Sequence, residues 1–246
     1  ILIACSSPIL TSVQKQVIIG QLLGDGCLFT FNDRLAEMQE SKKEEHKEYL
    51  EYLNKITSGL FYLSKSKRIS GYSTIMVKGR TSRSVGLYNY MKKNTTFSHE
   101  KDAQRLKENI VNEVSPLSLA IWYMGDGSLA HSEYQEDRAN IAICRYTQKE
   151  DRVILEKILN KFNIIPSFYQ DTDGYWRIRL NRDEAVKFFD LIAPYIPPIM
   201  QYKLPLGHKK KFKMIEDPEK FVTNGWEFIS QTVLENTPLN KKMDEY

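Results

Sequence analysis

Two periods of apolar residues alternate along the chain. From Thr11 to Gly24 the sequence "TSVQKQVIIGQLLG" turns apolar almost all round, which predicts a buried helix. Cys27–Phe31 and Leu35–Gln39 then read as strands. The stretch "KKEEHKEYLEYLNKITSGL" predicts a polar helix with Tyr49, Leu50, Leu53 and Ile56 on one side. Two more strands, "FYLSKSKRI" and "YSTIMVKGR", meet in a hairpin at Ser70-Gly71, and "SRSVGLYNYMKK" follows as a helix. The order then recurs. A second apolar helix lies in "LSLAIWYMGDGSL", followed by strands "SLAHSEY" and "RANIAICRY". The helix "KEDRVILEKILNKF" carries a stripe of Val153, Leu155, Ile158, Leu159 and Phe162. The hairpin "PSFYQDTDGYWRIRL" is expected to turn on two residues, Asp173-Gly174. A closing helix, "RDEAVKFFDLIAPYI", stops at Pro194, Pro197 and Pro198. Each half therefore reads αββαββα, and the expected fold class is α+β. Two pseudo-symmetric halves, residues 1–112 and 113–206, would each carry an antiparallel sheet. Residues 207–246 form an extension or tail that either wraps back through Phe221, Trp226 and Phe228 or serves as a linker.

Alternation within the strands separates a core face from a polar one. Trp176, Ile178 and Leu180 oppose Tyr175, Arg177, Arg179 and Asn181; Ile141 and Ile143 oppose Arg138, Asn140, Ala142, Cys144 and Tyr146. A sheet with one face on helices and the other rich in Arg, Asn and Tyr can enter a major groove, although ordinary solvated sheets look the same. Charge sharpens the choice. The net charge is only +4, yet no Asp or Glu occurs between Glu51 and Glu100. That interval holds Lys55, Lys65, Lys67, Arg68, Lys78, Arg80, Arg83, Lys92 and Lys93, and a second basic cluster runs from Lys203 to Lys213. One such cluster usually means a solvated basic face; two, each downstream of an apolar helix, point to a polyanion, with nucleic acid as the expected partner.

Both apolar helices end on Gly-Asp-Gly, which places Asp25 and Asp126 101 positions apart. Gly20 and Gly24 share a helical face on which another backbone can approach closely, and Gly26 is expected to supply a permissive exit conformation. If the two helices pack together, their C-terminal ends bring two carboxylates into one place, where they repel unless a cation joins them. Magnesium fits such a pair, with the carbonyls of Gly24 and Gly125 as further oxygens. Other chemistries are disfavoured. Cys5, Cys27 and Cys144 lack metal or disulfide spacing, and His46, His99, His131 and His208 are dispersed. No apolar run reaches the roughly 18 residues of a membrane span, and the opening "ILIACSSPIL" has no basic region of a signal peptide.

"IIGQLLGDG" (Ile18–Gly26) and "LAIWYMGDG" (Leu119–Gly127) resemble the two motif copies of the monomeric LAGLIDADG homing endonucleases. "PPIMQYKLP" (Pro197–Pro205) is similar to the C-terminal signature of the branch typified by the yeast mitochondrial intron endonuclease. The resemblance spans about residues 14–206. It implies a saddle whose strands lie in the DNA major groove and whose motif helices meet through Gly20, Gly24, Ile121 and Gly125. It implies that Asp25 and Asp126 bind two or three divalent ions, Mg²⁺ with Ca²⁺ or Mn²⁺ as substitutes. A catalytic basic residue near the end of each half maps to Lys203 and, in "FSHEKDAQ", to Lys101, with Lys92, Lys93 and Arg105 as alternatives. Ile121 in place of Gly20 should widen one side of the helix contact, and Leu23 and Met124 replace the motif's earlier acidic residue. The expected function is that of an intron-encoded, monomeric, Mg²⁺-dependent endonuclease cutting both strands of a long asymmetric site. Arg177, Arg179, Lys78 and Arg80, together with DNA bending, would set specificity. The alternatives are a maturase that binds group I intron RNA and an inert DNA-binding protein. Richness in Lys, Ile, Asn and Tyr suggests an organelle, mitochondrion or chloroplast.

Overall fold

Thr11 starts the first motif helix, α1 (Ser12–Leu23), with a reciprocal cap: its hydroxyl accepts the Gln14 N–H at 3.2 Å and the Gln14 side chain accepts the Thr11 N–H at 3.0 Å. Ser115 and Ser118 repeat the device at the second, α5 (Pro116–Asp126), where Pro116 occupies the first turn. The computed structural model describes residues 10–70, 72–97, 104–132, 135–143 and 146–216, with the strand path but not the side chains described at 66–70, 72–74, 131–132 and 135–137. Phe221, Trp226 and Phe228 lie outside them.

Around the two helices the predicted order of elements is present twice. The first half has β1 (Cys27–Phe31), β2 (Leu35–Lys43), α2 (Lys47–Ile56), β3 (Phe61–Ser70), β4 (Tyr72–Thr81) and α3 (Val85–Asn94). A short helix, α4 (Ile110–Glu113), leads to α5. The second half continues with β5 (Gly127–Ser132), β6 (Gln135–Ala142), α6 (Lys149–Asn160), β7 (Ser167–Gln170), β8 (Trp176–Leu180) and α7 (Arg182–Ile192). The strands form two antiparallel four-stranded sheets, ordered β1-β2-β4-β3 and β5-β6-β8-β7. The fold is α+β, as the alternation predicts. The helices cover one face of each sheet, and α1 packs on α5 between the halves. Both motif helices are buried on most sides, which is why they read as apolar all round.

Several local expectations are corrected. β2 runs on to Lys43, so Lys42 and Lys43 lie in a strand rather than opening the polar helix. On α6 the inward stripe is Ile154, Leu155, Ile158 and Leu159, while Val153 is exposed. The second hairpin turns through Asp171–Tyr175, not two residues. The Asp171 carboxylate accepts the N–H groups of Asp173 (3.1 Å) and Tyr175 (2.9 Å), and Gly174 alone takes a positive φ, +81°. Tyr146 does not face the groove: β6 ends before it, and its buried hydroxyl donates to the Leu22 carbonyl at 3.2 Å. Asn181 is the N-cap of α7, its side-chain oxygen accepting the Glu184 N–H at 3.1 Å while the side chain stays exposed. Gly26 is needed for space rather than for an unusual φ: a Cβ there would lie 2.6 Å from the Gln21 carbonyl oxygen.

Residues 206–216 pack back on both halves. Asp190 of α7 pairs with His208 and Lys211, the Lys213 N–H donates to Pro194 O at 2.9 Å, and the Phe212 ring meets Tyr52 of α2 edge-on at 5.9 Å.

Candidate active site at the paired helix ends

Packing at glycine sets the site. A Cβ on Gly20 would lie 2.6 Å from the Ile121 Cβ and 2.7 Å from the Ser118 carbonyl oxygen, so Ile121 fills the hollow that Gly20 leaves. One turn on, a Cβ on Gly125 would sit 3.2 Å from the Asp25 nitrogen and one on Gly24 3.4 Å from the Trp122 oxygen. The two Gly-Asp-Gly ends are thus in contact, which sets the Asp25 and Asp126 carboxyls close enough to act on one another. Sequence alone brings these two together correctly.

Both carboxyls lie at the negative ends of helices; the Asp25 side chain keeps 42% of its surface exposed, and Asp126 is half-buried. Burial and the neighbouring Asp25 charge push the Asp126 carboxyl up to about 8, with Lys42 and Lys203 offsetting only part of the rise. Burial pushes Asp25 the same way, but the Lys42 ammonium outweighs it and holds Asp25 below the usual range. At neutral pH the pair therefore holds about one negative charge between its two carboxyls.

Two ammonium groups flank the pair, Lys42 in contact with Asp25 and Lys203 against the end of α5. Lys203 Nζ donates to the carbonyls of Met124 (2.7 Å), Gly127 (2.9 Å) and Gly125 (3.2 Å), with that of Tyr123 at 3.5 Å, around the exit of the chain from α5 into β5. Burial, then the charge of Lys42, brings this lysine down to about 8. Lys42 donates to Asp25 Oδ2 and to Glu40 Oε1, the latter at 3.0 Å, and lies over the Tyr49 ring at 5.3 Å from its centroid. Its carboxylate partners outweigh burial and raise it above an ordinary lysine. Lys42 is absent from the sequence-based candidates. The signal was the two-residue period Ala36, Met38, Glu40, Lys42 on the core face of β2, hidden in a charged run that reads as a solvated helix.

Among the other candidates, Lys101 lies outside the described residues. Arg105 is ion-paired with the buried Asp151 at 3.3 Å, and Lys92 and Lys93 end α3. On the first sheet, register puts Lys78 and Arg80 on one face with Gln39, Ser41 and Tyr62, whereas Lys65 shares the opposite face with Val77 and pairs with Glu44. The side chains of Lys67 and Arg68 are outside the description. On the second sheet Arg138, Asn140, Arg177 and Arg179 do share the polar face, Asn140 opposite Arg179. Arg179 stacks on Tyr169 with its guanidinium carbon 4.2 Å from the ring centroid, Arg177 pairs with Asp171 at 2.6 Å, and Tyr175 sits exposed in the loop. The Asn140 side-chain oxygen is buried without a hydrogen-bond partner.

Among the described residues no three His, Cys, Asp or Glu side chains form a ready-made metal cage. Two carboxyls forced to share a proton are nevertheless a donor set suited to a hard divalent cation, which takes one or two carboxylates and fills its shell with water and phosphate oxygens. The Gly125 carbonyl is already hydrogen-bonded by Lys203. No described helix is long and apolar enough to cross a membrane.

A probable intron-encoded DNA endonuclease of Mycosarcoma maydis is 32% identical over 97 residues, 39% of this chain and 68% of that protein. A RecA protein of Mycobacterium gastri is 25% identical over 216 residues, 80% of this chain, which spans 48% of that protein's length. The homing endonuclease I-WcaI bound to its DNA recognition sequence shares the fold at TM-score 0.65 and 24% identity, covering 80% of this chain and 88% of that one. Residues 15–188 match the profile of the LAGLIDADG DNA endonuclease family. With that match, the doubled αββαββα plan and the two motif helices joined at their ends, the chain belongs to the LAGLIDADG DNA endonuclease family.

Proposed function

We propose that the chain hydrolyses both strands of a long, asymmetric DNA site in a Mg²⁺-dependent reaction, as an intron-encoded, organellar homing endonuclease acting as a monomer. The observation that carries this reading is the Asp25–Asp126 pair with one ammonium on either side, Lys42 and Lys203. Asp25 and Asp126 would hold the cation, which when bound supplies a Lewis acid that activates water and stabilises the leaving oxygen. In the hydrolysis a water oxygen bonds to phosphorus and a bridging oxygen leaves. Lys42 and Lys203 place positive charge where the phosphoryl oxygens gain negative charge. The first-half basic role thus falls to Lys42. Arg138, Arg177, Arg179, Asn140, Lys78 and Arg80 lie on polar strand faces, from which forked and amide side chains reach base edges.

The test is incubation with a plasmid library of intronless gene fragments and randomised duplexes, with Mg²⁺ or with chelator. Discrete Mg²⁺-dependent cuts are expected. Asp25→Asn and Asp126→Asn should each lower cleavage by about a hundredfold or more while duplex binding persists. Lys42→Met should slow cleavage more than Lys101→Met. Splicing of a group I intron transcript without any cut would make the chain a maturase, and Asn variants with full function would make it an inert binder.

A further inference from the structure

The anchoring of Lys42 goes beyond the reading above, on which it rests only in taking Asp25 as a cation ligand. In this structure the Lys42 ammonium bridges two carboxylates of different character. Asp25 is at the open end of the helix pair. Glu40 is 3% exposed; its Oε2 accepts the Gln21 amide at 2.8 Å and faces the Tyr49 hydroxyl at 3.5 Å, and its Oε1 accepts Lys42 at 3.0 Å. A cation arriving from the DNA side meets Asp25 and not Glu40. Two cations then compete for one Asp25 oxygen, and the lysine, tethered two residues from Glu40 on the same face of β2, has a second carboxylate to fall back on.

We propose that Glu40 is a positioning residue for Lys42: it receives the ammonium when a divalent cation takes Asp25, so that Asp25 is vacated without driving Lys42 from the site. Lys42 is then a tethered counter-ion that neutralises Asp25 in the metal-free chain, and Glu40 sets how readily it yields.

The experiment is Mn²⁺ binding to the full, DNA-free chain, followed by the electron paramagnetic resonance of the free ion, in four forms: unaltered, Lys42→Met, Glu40→Gln and the double variant. Thermal melting of each form reports folding, and the double variant, which removes both charges of the pair, remains informative should either single variant unfold. Lys42→Met is expected to tighten Mn²⁺ binding about tenfold, the competitor being gone. Glu40→Gln should weaken it by about the same factor, because Lys42 then has Asp25 alone. In the Lys42→Met background Glu40→Gln should change affinity by less than about twofold, the non-additivity that marks action through a shared partner. An equal loss from Glu40→Gln in both backgrounds overturns the proposal, since Glu40 would then act as a remote negative charge. Unchanged affinity in Glu40→Gln overturns it also. Mn²⁺ left free by all four folded forms overturns the metal reading of Asp25 and Asp126 itself, and this inference with it.

Discussion

Asp126 is a carboxyl whose folded environment opposes its charge. Its raised value, about 8 against an ordinary carboxylate near 4, means that the native chain binds more protons than the unfolded one between those limits. The sign follows: stability in the absence of divalent ions falls as pH rises from about 4 to about 8. Asp126→Asn keeps the neutral form at every pH. In chelator at pH 8 it should melt a few degrees above the unaltered chain, corresponding to about 1–2 kcal/mol, and the gap should close towards pH 4. A variant that melts lower at pH 8 contradicts the burial and repulsion described here. The pair itself was legible from residues, because two Gly-Asp-Gly ends on apolar helices leave few other arrangements. Lys42 and Glu40 were not. Opposite charges that neutralise one another on a core face look, in a one-dimensional pattern, like any solvated stretch, and only the strand register distinguishes them.

At the scale of elements, the helix contact distinguishes glycines that the sequence treats alike. Gly20→Ala places its methyl carbon 2.6 Å from Ile121 and 2.7 Å from a backbone oxygen, so the helices must part, at a cost of about 1–3 kcal/mol. Gly24→Ala meets nothing nearer than 3.4 Å, an ordinary van der Waals contact. Thermal melting should therefore show a clear loss for Gly20→Ala and a much smaller one for Gly24→Ala. Ile121→Ala should recover only a small part of the loss, because the Cβ at position 121 and the Ser118 oxygen both stay in place. The order of strands and helices was readable from period alone, since each sheet is covered on one face and the alternation is clean. Boundaries failed where charge or loops broke that rule: β2 extends through "ESKK", and the Asp171–Tyr175 loop closes through carboxylate hydrogen bonds rather than a two-residue turn.

For the whole molecule, residues 206–216 join halves that otherwise meet chiefly through α1 and α5. Asp190 is the point of attachment, held down to about 2 by its hydrogen bond to His208 and by the Lys211 ammonium against the opposing effect of burial. A depressed carboxyl contributes stability above its unfolded value near 4 and loses it as pH falls towards 2. The site is part-exposed, so the effect is local. Asp190→Asn should speed tryptic cleavage among Lys209, Lys210 and Lys211 at pH 7, and acidification towards pH 2 should lower the amide-exchange protection of the same segment, relative to its intrinsic rate, in the unaltered chain and not in the variant. Equal cleavage of both chains would show that Phe212 and Ile215 hold the segment without Asp190.

Gly20 and Ile121 occupy matching places in the two motifs and face one another, the one hollow and the other filling it. Neither half can therefore satisfy itself. Two copies of the first would leave an empty space between their helices, and two copies of the second would force one branched side chain into another. Separately expressed halves should pair only with each other.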